Sequence, residues 1–93
     1  MFNPKKIQKN MAKINLQAVE VLQLDGTMKP EDMREAVCTP LHHHKEKEFV
    51  MFALRLYKGE CELNEEEEKT IREIIAPWAW IYRDAIEKQL AAK

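Results

Sequence analysis

Cysteine, histidine and carboxylate side chains are the usual ligands of transition-metal ions, and this chain gathers them in one short stretch, "CTPLHHHKEKE", from Cys38 to Glu48. Cys38 stands four residues before His42; His43 and His44 follow directly, with Glu46 and Glu48 close behind. A zinc site needs three or four such ligands converging at about 2.0–2.3 Å. Consecutive residues on a helix point about 100° apart, so His42, His43 and His44 cannot all reach one ion from a regular helix. Two pairs remain one helical turn apart, His42 with Glu46 and His44 with Glu48. Cys38 joins them only if Thr39-Pro40 folds the chain back. No second histidine cluster, Cys-x-x-Cys or di-iron Glu-x-x-His pattern completes a set. The expectation is no metal site and no cofactor; were an ion to bind, Cys38, His42, His44, Glu46 and Glu48 are the residues that would hold it.

Other chemistry is thinner. Cys38 near His42 could form a thiolate pair, since a neighbouring imidazolium lowers a thiol's pKa, but such a cysteine is more often a small buried hydrophobe. The chain has no serine, so its hydroxyl nucleophiles are Thr27, Thr39 and Thr70 among the threonines. There is no glycine-rich phosphate loop, no His-Glu-x-x-His and no nucleophile elbow. The turn "DGTMKPED" has the outline of a calcium loop. With Gly26 at loop position six, however, positions one and three are Val21 and Gln23, and around Gly59 they are Leu54 and Leu56. Ca²⁺ would lack most of its six to eight oxygen partners there. No enzymatic activity is expected.

Ninety-three residues, 45% apolar and 33% charged with two glycines, describe a single domain (residues 1–93) of compact helical type. A net charge of −1 gives no general attraction to nucleic acid or anionic lipid. Locally the charge is uneven: Lys5, Lys6, Lys9 and Lys13 precede the first acid, and six glutamates lie between Glu60 and Glu68 with no base among them. The two regions could meet in the fold or each meet a partner. The apolar runs "FVMFAL" and "IIAPWAWIY" fall well short of the ~20 residues that span a bilayer. No apolar segment follows the N-terminal lysines as in a secretory signal, and two cysteines make no disulfide framework. A cytoplasmic location with free thiols is expected.

The elements that must position these residues read as helices throughout. Asn3-Pro4 resembles a capped helix start, and Ile7, Met11, Ile14, Ala18 and Val21 recur at helical spacing up to "DG" at 25–26. A second helix starts at Pro30, with Met28 and Met33 as a hydrophobic staple, and ends at Thr39-Pro40. A third runs from Leu41 or His43 to Tyr57; its "FVMFALRLY", apolar nearly all round, belongs in the centre of a bundle. Phe49, Phe52, Ala53, Leu56 and Ile14 are the expected core. Asn64 and Glu67 then form a capping box ahead of a helix whose first turn is acidic. The last stripe, Ile71, Ile75, Trp78, Tyr82, Ala85 and Gln89, keeps its period across Pro77, predicting one kinked helix or two nearly continuous ones. The fold class is all-α, a small bundle of four or five helices, with a faint repeat of helix, glycine turn and helix around Gly26 and Gly59.

The function expected of such a chain is that of a non-enzymatic protein-interaction module: an adaptor, inhibitor, small subunit or homodimer. Trp78 and Tyr82 lie one turn apart and face inward, which puts Trp80 on the opposite side beside Arg83 and Asp84. Exposed tryptophan is characteristic of interface hot spots. The candidate contact residues are Trp80, Arg83 and Asp84, together with Glu60, Glu62 and Glu65 of the acidic turn. The alternative is a nucleic-acid-binding regulator in which helix 30–38 serves a helix-turn-helix. Its Glu31, Asp32 and Glu35 against one arginine, Arg34, suit phosphates poorly. The basic start "MFNPKKIQKNMAKI" could lie on nucleic acid or a membrane surface, although four lysines without arginine lack bidentate phosphate geometry.

Overall fold

A computed structural model describes residues 12–91. They form an α+β fold, and the all-α helical bundle expected from the sequence is incorrect. In chain order the elements are β1 (Ala12–Ile14), β2 (Val19–Leu22), β3 (Met28–Glu31), α1 (Arg34–His42), α2 (Lys47–Tyr57), β4 (Cys61–Leu63), α3 (Glu65–Ile75) and α4 (Trp80–Ala91). β1 pairs antiparallel with β4, and β2 with β3, in two separate two-stranded sheets. The predicted helix start at Asn3-Pro4, Ile7 and Met11 of its stripe, and Lys5, Lys6 and Lys9 lie outside the described residues.

The first predicted helix fails because its residues satisfy two periods at once. Ile14, Ala18 and Val21 fall on a helical line. Ala12, Ile14 and Leu16, however, also alternate with Lys13 and Asn15, and Val19 and Val21 with Glu20. The structure uses the alternation: Ala12, Ile14, Leu16, Val19 and Val21 are all buried, and Lys13 and Glu20 are exposed. β-Branched Ile14, Val19 and Val21 suit that choice. Asp25-Gly26 is a hairpin turn, not a helix end. Gln23 N–H donates to the Thr27 carbonyl (2.8 Å) and Gly26 N–H to that of Gln23 (3.0 Å). Gly26 has φ of 88°, which a side chain would oppose. The faint repeat dissolves accordingly: Gly26 joins two strands, whereas Gly59 (φ 128°) leads from α2 into β4.

Pro30 lies within β3, opposite Glu20, and not at a helix start. In a two-stranded sheet every strand is an edge, the setting in which proline is tolerated. α1 starts at Arg34, and Asp32 Oδ1 accepts the Arg34 N–H at 3.0 Å. Pro40 sits inside α1 and does not end it; burial of Leu41 holds the final turn in place through His42. The third predicted helix is also shorter than expected. The chain leaves helical geometry after His42 and re-enters it at Lys47, so the histidines do not lead α2.

From Asn64 onward expectation and structure agree more closely. The Asn64 side chain accepts the Glu67 N–H (2.8 Å), and the Glu67 carboxylate accepts the Asn64 N–H (3.0 Å), a reciprocal capping box. Pro77 splits the last stripe into two helices, α3 and α4, and the Arg83 guanidinium donates to the carbonyl of Ala76 just past the end of α3 (3.2 Å).

α1 and α2 pack together as a helical hairpin, α4 lies against β1 and β2, and α3 contacts α1, β4 and α4. The shared core includes Ile14, Leu16, Val37, Leu56, Leu63, Ile71, Ile86 and Leu90. Phe52, Ala53 and Leu56 are buried as expected, and Phe49 is half-buried. Gln89 clamps α4 to the β1–β2 turn: its Oε1 accepts the Asn15 N–H (2.7 Å), and its Nε2 donates to the carbonyls of Asn15 and Ala18, each at 3.1 Å.

Candidate functional site

The histidine stretch is pulled apart by the break between α1 and α2. Cys38 and His42, one turn apart on α1, line a groove with Glu35, Thr39 and His43; Ala53, Leu54 and Tyr57 of α2 form its other wall, and its volume is about 190 Å³. His44 belongs to a different environment. Its Nδ1 accepts the Glu46 N–H at 3.0 Å, and its ring lies 4.2 Å from that of Phe49. Glu46 is the residue before α2, and Glu48 lines a second depression with Phe49, Phe52, Asn64, Glu66, Glu67 and Thr70. The pairings His42–Glu46 and His44–Glu48 required a continuous helix, and residues 43–46 are not helical. Among the described residues no group of three or more His, Cys, Asp or Glu side chains is placed to hold a metal ion.

The thiol chemistry also runs against reactivity. Burial pushes Cys38 up to about 11, with the nearby Arg34 guanidinium opposing that shift only in part. A thiol held protonated at neutral pH is a poor nucleophile. Cys61 is buried as well; Arg55 Nε lies 3.3 Å from its Sγ, while the same guanidinium pairs with Glu67 at 2.7 Å. Arg55, the lone charge in the apolar run of α2, thus ties α2 to β4 and α3. Its own pKa is raised by the Cys61 contact first and the Glu67 carboxylate second.

The aromatic face is built at the start of α4. Trp78 and Tyr82 pack against the core, half-buried, whereas Trp80 is 57% exposed. Two polar contacts hold this corner: Arg83 on the Ala76 carbonyl, and Asp84 with Lys88 at 3.3 Å, one turn further along. A large exposed ring therefore stands on a helix end whose neighbouring side chains are already engaged.

The acidic candidates lie elsewhere. Glu60 borders a shallow depression with Lys13, Ile14, Asn15 and Gln89; Glu62 sits on β4 in register with Lys13; Glu65 opens α3. Lys13 and Glu62 are thus one point where the basic and acidic regions meet. Gln89 is nine residues beyond Trp80 on α4, so Glu60 lies by the helix's other end, about 13 Å away along the axis. The structure does not gather the predicted contact residues into one cluster.

Sequence reasoning also missed several exposed apolar residues. Met51, Leu54 and Tyr57 form an exposed stripe on α2, which therefore flanks the core and is not central. Leu22, Leu24 and Met28 are exposed at the end of the β2–β3 hairpin. The excess of apolar residues around α2 was the available signal for the stripe; the hairpin residues were hidden by the helical reading. No helix among the described residues is long and apolar enough to cross a membrane. Compared with models of protein families, curated proteins and solved structures, the chain matches none, and its function has to be read from its own surface.

Proposed function

We propose that this protein is a non-enzymatic interaction module that works in the cytoplasm and binds another protein through the face centred on Trp80. The observation carrying this reading is the exposure of that ring beside two aromatic neighbours that do pack inward. An aromatic side chain can bury 150–250 Å² on association, and tryptophan is enriched among residues that dominate binding energy. Arg83 and Asp84 would form the polar rim of the contact. Because Arg83 is braced on the Ala76 carbonyl and Asp84 on Lys88, that rim is largely ordered before a partner arrives, which reduces the entropic cost of binding. Glu60, Glu62 and Glu65 form a more distant acidic border that a partner of ordinary footprint could also reach.

The test is Trp80→Ala. We expect an unchanged far-UV circular dichroism spectrum and urea midpoint, with loss of proteins that co-purify with the wild-type chain from its native host. A partner retained equally by the folded variant would refute the Trp80 face, and so would a variant that unfolds, since the ring would then belong to the core.

A further inference from the structure

Two exposed apolar features of this chain have complementary shapes. One is a projection. Leu24 is fully exposed at the tip of the β2–β3 hairpin, and Leu22 and Met28 form a cross-strand pair just below it. The tip is held firm: Asp25 Oδ1 accepts hydrogen bonds from the Thr27 N–H (3.0 Å) and hydroxyl (2.7 Å), and Gln23 and Thr27 close the turn. The other is the groove of about 190 Å³ between α1 and α2, flanked by Leu54 and Tyr57, with Met51 one turn away. A cavity of roughly 150 Å³ already admits a benzene-sized group, so this groove has room for a leucine side chain.

We infer that two copies of this chain pair reciprocally, each inserting its β2–β3 hairpin tip into the α1–α2 groove of the other. Hydrogen-bonding capacity at one end of the groove favours this occupant. Glu35 lines the groove near the start of α1, and His42 and His43 line it at the other end. Seven helical residues separate Glu35 from His42, about 10 Å. The hairpin carries Asp25 at its tip, just ahead of the Leu22–Met28 pair, whereas Lys29 pairs with buried Val21 on the opposite face of the ladder. Laid along α1, the tip sets Asp25 against the two imidazoles, about 10 Å from the like-charged Glu35. Asp25 keeps Oδ2 available, since both Thr27 bonds use Oδ1.

Area favours the reciprocal arrangement. The exposed side chains at the hairpin tip and those on the α2 stripe each offer about 300 Å², whereas a standard specific interface takes roughly 800 Å² from each partner. Either feature alone falls well short; a twofold pair in which each copy contributes both comes close, and it closes on itself without further growth. This pairing is separate from the Trp80 face.

The test is sedimentation velocity across a concentration series on the wild type and two variants, Leu24→Asp and Leu54→Asp. Leu24 touches no core residue, so its variant keeps the fold; Thr39→Arg, at an exposed groove position, serves as the second groove variant should Leu54→Asp unfold. Wild type should shift from monomer to dimer mass, and each variant alone should stay monomeric. An equimolar mixture of the tip and groove variants restores only one of the two contacts and should fall short of the wild-type dimer. Trp80→Ala should pair like wild type. The inference is overturned if wild type stays monomeric, if its mass climbs past the dimer, or if the mixture dimerises as fully as wild type. Pairing that survives Leu24→Asp, or that is lost with Trp80→Ala, would overturn it too.

Discussion

Gln89→Ala offers a direct measure of what holds the two halves of this fold together. Gln89 makes three hydrogen bonds to backbone groups of the β1–β2 turn, more than 70 residues earlier in the chain. Two of them are part-buried and the third is exposed, so water can replace the third at little cost. A net intramolecular hydrogen bond contributes about 0.5–1.5 kcal/mol, and one whose loss leaves a shielded group unpaired lies toward the upper end. Alanine's better helix propensity returns a few tenths of a kcal/mol. The expected loss is therefore about 2 kcal/mol, read from urea denaturation followed at 222 nm. At about 4–8 °C per kcal/mol for a domain of this size, the melting temperature should fall by roughly 10 °C. Gln89→Glu is the control. Its carboxylate retains an acceptor for the Asn15 N–H but faces the carbonyls of Asn15 and Ala18, so its folded-state pKa should rise above the unfolded ~4.3. This variant should be at least as unstable as Gln89→Ala at neutral pH. It should recover as pH falls below the raised folded value, with the gain complete below the unfolded pKa. A loss under about 0.5 kcal/mol for Gln89→Ala would mean that apolar packing alone docks α4, and the clamp would be refuted.

Three further outcomes are expected. Phe52→Ala should destabilise by ~3–5 kcal/mol in the same urea assay, because the ring is 95% removed from solvent in the shared core; a loss under ~1 kcal/mol would show that α2 is held mainly by other contacts. Cys38, buried and with its thiol pushed up to about 11, should react with a thiol reagent near pH 8 only after denaturation; rapid labelling of the native Cys38 would contradict its burial. EDTA should leave the melting temperature unchanged at neutral pH, since His44 is engaged with Glu46 and Phe49 and not with Cys38 and His42. A drop of several degrees would mean that these side chains do converge on an ion.

The legible half of this fold was the half whose signals are local. Asn64 and Glu67 announce their capping box three residues apart, Pro77 marks the break between α3 and α4, and Trp80 and Tyr82 fall within α4, although Trp78 lies in the link before it and not on a helical line with Tyr82. The illegible half depends on partners distant in sequence. Ala12-Lys13-Ile14 reads as a strand only once Cys61–Leu63 is known to lie beside it, and nothing local to either segment names the other. "LDGT" between Val21 and Met28 was a hairpin signal in plain view, outweighed by a helical line drawn through Ile14, Ala18 and Val21. Residues 43–46 show the same limit on a smaller scale. Leu41 and Phe49 could both be helical, and only the packing of α1 on α2 determines that the chain must turn between them.

The β1–β4 ladder has a consequence for the order in which the chain can assemble. Its strands are separated by nearly fifty residues, so the ladder closes a loop containing the β2–β3 hairpin and the α1–α2 pair. Those two units join neighbours in sequence and can form early, in microseconds. The ladder must wait until the whole loop has been drawn together, against an entropy that grows with loop length. Gln89 then fastens the far end of α4 across the same seam. Such a chain should fold as two quick local events followed by one slow closure, and neither β1 nor α4 can peel away without opening the core to water.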